Sequence, residues 1–194
     1  MFNHNNMSKE QEKLEQERQE LNTLIGKGVS FEVKDVEFET VKRWGFFKKH
    51  TPKEVTRRFT INEPTLATLD RLSSEWIEFA IDEEALKSSD GMVAARHYAH
   101  KHCERCAKVV AIAVLGEDRL IAIPGKGGTR WVEDKAKLEQ LTRLFLRTIK
   151  PSRLYQLYVL INTMCNLGDF LNSIRLMSTD RTTMPNPIEQ SNVG

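Results

Sequence analysis

The stretch FTINEPTLATLDRLSSEWIEFAID, residues 59–82, holds the point at which the hydrophobic period of the chain changes. Up to Ile61 the apolar residues Val55, Phe59 and Ile61 alternate with polar ones, the period of a half-buried strand. From Leu66 onward, Leu66, Leu69, Leu72, Trp76 and Phe79 recur at steps of three and four, which places them on one face of a helix. Pro64 lies where the first helical turn tolerates a missing N–H. The plan that follows is β structure upstream and helices downstream.

Working back towards the N-terminus, Val29, Phe31, Val33, Val36 and Phe38 alternate with polar residues, and the alternation can continue through Val41 and Arg43. The segment RWGFFKKHTP (43–52) contains Gly45 and Pro52 and reads as a turn or bulge, so two or three antiparallel strands are expected. Ser8 to Ile25 reads as a helix. Ser8 and Gln11 form its N-cap pair, and Gly26 and Gly28 stand where a C-cap is wanted. Its stripe of Leu14, Leu21, Leu24 and Ile25 is too thin for deep burial, so residues 1–28 are expected to form a solvated or weakly docked helical arm.

Working forward, Asp90 stands as cap to a helix from Gly91 to Leu115, whose last turns, VVAIAVL (109–115), are apolar all round and therefore buried. Leu120–Ile123 and Arg130–Val132 flank PGKGGT, a hairpin with a Gly-rich turn. A further helix from Asp134 to Ile149 carries Leu138, Leu141, Leu144, Phe145 and Ile149, and Pro151 interrupts it. The next runs from Ser152 towards Met177 with Gly168 as the expected kink. Residues 178–194 are polar, contain Pro185 and Pro187, and read as a disordered tail. The expectation is an α+β fold with one domain over residues 29–177. Within it, residues 29–61 are β-rich and residues 62–177 helical.

A chain of 194 residues matches one domain. Apolar residues make up 40% and charged residues 29%, as in a folded globular protein. The longest apolar run, Val109 to Leu115, is far short of the roughly 18 residues of a membrane span. The first residues lack the apolar core of a secretory signal, which suggests that the three cysteines are free thiols in a reducing compartment. The net charge of +2 hides segregation. Residues 41–60 carry seven basic groups against Glu54, whereas residues 61–90 carry Arg71 and Lys87 against eight acids. These blocks either pair across the fold, the simpler reading, or face two partners.

RHYAHKHCERC brings together His97, His100, His102, Cys103 and Cys106, all metal-ligating types. One helix face offers few ligands to one ion, and a closed zinc site normally draws on two elements. The reading is therefore no metal, with histidines facing solvent and cysteines helping to fill the core. IPGKGGT fails as a phosphate loop because Leu120 occupies the first glycine's place and Gly127 follows Lys126. Lys42, Arg43, Lys48, Lys49, Arg57 and Arg58, interleaved with Trp44, Phe46, Phe47 and Phe59, have the ingredients of single-strand nucleic-acid binding. A half-buried sheet gives the same pattern, however, and a pI near 8.4 is modest for a nucleic-acid domain. No GxSxG motif occurs, and Asp82, Glu83 and Glu84 suit a solvated helix end, so an enzyme is not expected.

A short β region closing on FTINEPTLATLDRL, with Glu63, Pro64 and Thr65 between strand and amphipathic helix, resembles the phage tail assembly chaperones. The resemblance covers the EPT junction closely and residues 29–177 in general plan. The arm has no counterpart in it, and many members are shorter. It implies a protein of the bacterial host's cytoplasm that needs no cofactor. Its work would be to hold the tape measure protein, and in some systems tail tube subunits, soluble until the tube polymerises. Trp76 and Phe79, together with Leu154, Leu157 and Ile161, would then be the contact residues where they are not core. A nucleic-acid-binding accessory protein and a structural tail component that stays in the virion are the alternatives.

Overall fold

The computed structural model describes residues 13, 16, 17, 19, 20, 23, 25–43, 47–79, 83–87 and 90–179. The fold is α+β. Strands β1 (Val29–Arg43) and β2 (Phe47–Ile61) form an antiparallel ribbon in register from Val29 opposite Ile61 to Arg43 opposite Phe47. The strand β1 does run to Arg43, whereas the segment expected to turn from residue 43 to Pro52 is strand from Phe47 onward. Residues 44–46 lie outside the described residues. Pro52 is tolerated because a two-stranded sheet consists only of edge strands, where a missing N–H need not break a ladder.

The ribbon docks through one face of its proximal half. Phe31 and Val33 are buried, and Phe31, Phe59 and Phe145 form a three-ring cluster with centroids 5.0 to 5.9 Å apart. Beyond Asp35 the same face carries Glu37, Glu39 and Lys53, all exposed, so the distal half stands off the body. Gly28 sits at the entry to β1 with φ +68°, where a Cβ would lie 2.3 Å from Asn62 Oδ1. Glycine adopts that conformation without strain, and any side chain there would also displace Asn62. Of the expected N-terminal helix, the described residues between 13 and 27 are helical, and Ile25 packs on the core; its start lies outside them.

Helix α1 (Leu66–Ile77) begins at Thr65, whose Oγ1 accepts from the Thr68 N–H. Pro64 therefore stands one residue ahead of the cap rather than inside the first turn. Leu69 and Leu72 are buried as the spacing requires, but Leu66 is exposed. After the short α2 (Glu83–Lys87), α3 (Gly91–Leu115) runs through the centre, and its apolar end supplies the fully buried Ala111 and Ile112. A 3-10 turn, Gly116–Arg119, leads to the hairpin β3 (Leu120–Gly125) and β4 (Gly128–Glu133). Lys126 and Gly127 form its two-residue turn, with Gly127 at φ +85°, so the glycine-rich segment joins two strands.

Helix α4 (Lys135–Thr148) is capped by Asp134, whose carboxylate accepts from the Lys137 N–H at 3.0 Å. Its buried Leu138, Leu144 and Phe145 pack between α3 and the ribbon. Pro151 opens α5 (Pro151–Cys165) at the position that suits it. The expected single helix from Ser152 to Met177 is two helices. The break falls at Asn166, in the left-handed region at φ 44°, and not at Gly168, which lies inside α6 (Leu167–Thr179). Asparagine tolerates that conformation better than other residues with a Cβ. α6 reaches two residues into the segment read as tail; residues 180–194 lie outside the described residues. No described helix is long and apolar enough to cross a membrane.

A candidate partner-binding groove

Three helices converge on an apolar groove of about 460 Å³. The end of α1 contributes Trp76, followed by Phe79; the middle of α3 contributes Cys106, Val109 and Val110. α5 contributes Pro151, Leu154, Tyr155, Tyr158 and Ile161, spaced by three, one, three and three residues along one helical face. None of these ten residues is charged. Tyr158 meets Trp76 edge to face, with ring centroids 6.4 Å apart at 77°. Tyr155 and Tyr158 form the outer wall and remain 71% and 51% exposed. Such rings offer a large rigid contact area with a polar edge, suited to a surface that is wet when empty and apolar when filled.

Of the five residues singled out for partner contact, Trp76, Phe79, Leu154 and Ile161 line this groove. Ile161 and Leu157 are both buried core residues, at 1% and 2% exposure, so Ile161 closes the groove only from beneath and Leu157 does not line it. Tyr155 and Tyr158 also line it, although the regular Leu and Ile spacing of α5 does not mark them. Their position one helical turn apart beside Leu154 was the available signal.

The floor beside Trp76 is held by charge. The Glu75 carboxylate, almost fully buried, is met by Lys108 Nζ at 2.6 Å and Arg71 Nη1 at 2.8 Å, with Arg105 Nε at 3.7 Å. Burial alone would raise its pKa, but the hydrogen bonds and charges of Lys108 and Arg71 outweigh that and hold it below the ordinary value. Arg71 also reaches Glu133, which pairs with buried Arg119, and Arg119 Nη2 donates to the Ala67 carbonyl at 3.0 Å. α1 is thereby fastened to α3 and to the β4 hairpin, which fixes the groove's near wall.

The histidine and cysteine cluster diverges along α3. His97, His100 and Cys103 are exposed, Cys106 is half-buried in the groove wall, and His102 is buried. Histidines facing solvent and cysteines in the core therefore hold only in part, with His102 and Cys103 reversing the expectation. Among the described residues, no three His, Cys, Asp or Glu side chains converge as a metal site. The His102 ring lies 5.2 Å from Phe79, and neither of its nitrogens has a hydrogen-bond partner. Burial, then the cations Lys101, Arg105 and His97, hold its pKa below the ordinary value. Burial also pushes the Cys165 thiol up to about 11.

Two cations of the basic segment are engaged within the ribbon. Arg57 Nε lies 3.1 Å from Asp35 and Nη2 lies 2.6 Å from Glu37, while Lys53 pairs with Glu39 at 3.7 Å. Among the described residues, Lys53 and Arg57 of the basic block thus pair with acids of β1, and Glu75 and Glu78 of the acidic block pair with Arg105 of α3. Asp35 also accepts from Arg147 Nη2 at 2.7 Å, joining ribbon to α4. That hydrogen bond, opposed by burial, holds the carboxyl below its ordinary value. Arg58 is exposed; Lys42 and Arg43 pair in register with Lys48 and Phe47, and Lys49 with Val41, at the far end of the ribbon. Trp44 lies outside the described residues.

Comparisons of the chain with protein-family models, curated proteins and solved structures found no match.

Proposed function

We propose that the protein is a phage tail assembly chaperone that works without catalysis, and that its groove receives an amphipathic helix of the tape measure protein. The observation that carries this reading is the uncharged groove itself, walled by Trp76, Tyr155 and Tyr158 and left open to solvent. A helix entering it would seat apolar side chains spaced by three and four residues, the helix-in-groove mode of recognition. A tape measure chain is long and amphipathic, and its unassembled segments need apolar cover. The sequence resemblance at Glu63–Thr65 supplies the identity of the client; the groove supplies a physical means of holding it. Nucleic-acid binding through the basic segment is less favoured because Arg57 is engaged by Asp35 and Glu37.

Co-expression with the tape measure candidate from the same genomic neighbourhood tests the proposal. The expected result is a soluble complex in fixed stoichiometry that Tyr155→Glu with Tyr158→Glu disrupts while the chaperone stays folded. A client that remains insoluble, or a complex indifferent to both substitutions, would overturn it.

A further inference from the structure

The chain carries a second apolar surface. On α6, Leu167, Phe170, Leu171, Ile174 and Met177 form a continuous stripe at helical spacing, and all are exposed. A helix of 13 residues spans about 20 Å, long enough to lie along a groove built on three turns of α5. One molecule therefore presents both an apolar groove and an apolar helix of the kind that grooves receive.

The joint between α5 and α6 decides which molecule's groove is filled. A single residue, Asn166, separates the two helices, and its carbonyl accepts from the Phe170 N–H at 3.2 Å, opening the new helix at once. Reversing one helix onto its neighbour takes a loop of about 2–5 residues. α6 is thus held away from its own groove, which lies against the first three turns of α5.

We propose that a second copy of this chain is the occupant: α6 of each protomer lies in the groove of the other across a two-fold axis. Such an exchange is isologous, each copy giving a helix and receiving one. Scaled by their exposures, Tyr155, Tyr158 and the five apolar residues of α6 offer on the order of 700 Å² in each copy, and two copies reach the range of about 1,200–2,000 Å² of a stable interface. This rests on the groove as a helix receptor and deepens the chaperone reading: the client-free protein is a self-capped dimer, and a client helix competes with α6.

Sedimentation across a concentration series tests the exchange without any client. The wild-type chain is expected to dimerise, and Leu171→Glu with Ile174→Glu should weaken the dimer at least about 100-fold. Tyr155→Glu with Tyr158→Glu should do the same from the groove side. Mixing the two variants should restore a heterodimer, because one intact helix and one intact groove remain; restoration also excludes simple misfolding. Oxidative cross-linking of Ile174→Cys to Cys106, with Cys103 and Cys165 replaced by serine, should give a covalent dimer. A monomer at all concentrations, a cross-link within one chain, or a dimer insensitive to both pairs of substitutions would overturn the exchange. Loss of dimerisation with client binding intact would sink only this inference, whereas a groove-dependent dimer that binds no client would sink the chaperone reading.

Discussion

At the scale of single residues, the least comfortable group is His102. Its imidazole is buried against Phe79, has no hydrogen-bond partner and sits among cations, so the folded chain favours the neutral ring. The unfolded chain protonates that ring as pH falls through its ordinary value of 6.5, while the folded chain binds the proton less readily. Stability should therefore be retained above that pH and decline below it. Thermal unfolding at pH 7.5 and 5.5 checks this, with the lower Tm expected at pH 5.5 and much of the difference removed by His102→Phe. An equal drop in the variant would place the effect elsewhere. Cysteine labelling gives a second check: exposed Cys103 should react first with a thiol reagent, and Cys165, with its thiol pushed up to about 11, should be spared in the folded protein. Neither placement was legible in the sequence. RHYAHKHCERC has no apolar period to say which side of the helix faces inward, and of the two rings beside His102 one, Phe79, comes from more than twenty residues away while the other is Tyr98.

At the scale of elements, the changes of hydrophobic period located the strands and helices well. Gly91–Leu115 was legible to the residue because its apolar end and Gly116 leave no alternative. The break at Asn166 was not, since Asn166 and Gly168 both tolerate a left-handed residue and the spacing around them favours neither. Charge pairing between ribbon and helix was also hidden, because Asp35 and Arg147 lie 112 residues apart. The ribbon's attachment rests on that pair and on the three phenylalanine rings. Phe145→Ala should cost about 3–5 kcal/mol, measured by denaturant unfolding, through the cavity it leaves beneath Phe31 and Phe59. Asp35→Ala should cost less, about 1–2 kcal/mol, since its partners Arg147 and Arg57 remain partly solvated. The Asp35 contribution should be complete above its ordinary pKa of 3.8 and fade as pH falls through the lowered value. Phe145→Ala costing under about 1 kcal/mol would mean that the ribbon is not a packed part of the domain.

At the scale of the whole molecule, packing has gathered residues from three helices into one uncharged groove and left an apolar helix beside it. Four of its linings, Trp76, Phe79, Leu154 and Ile161, stood out in the sequence as regularly spaced apolar residues, but spacing alone could not separate a groove wall from a core. Leu157 and Ile161, with the same spacing, are both core, and only Ile161 also meets the groove. The central claim is that this groove takes an amphipathic client helix. Its most direct test is a titration of the protein with a helical segment of the tape measure protein, followed by Trp76 fluorescence in a Trp44→Phe, Trp131→Phe background. Saturable binding at one helix per groove, weakened at least about tenfold by Tyr158→Ser, is the result this account expects. A signal that never saturates, or an affinity unchanged by Tyr158→Ser, would contradict it.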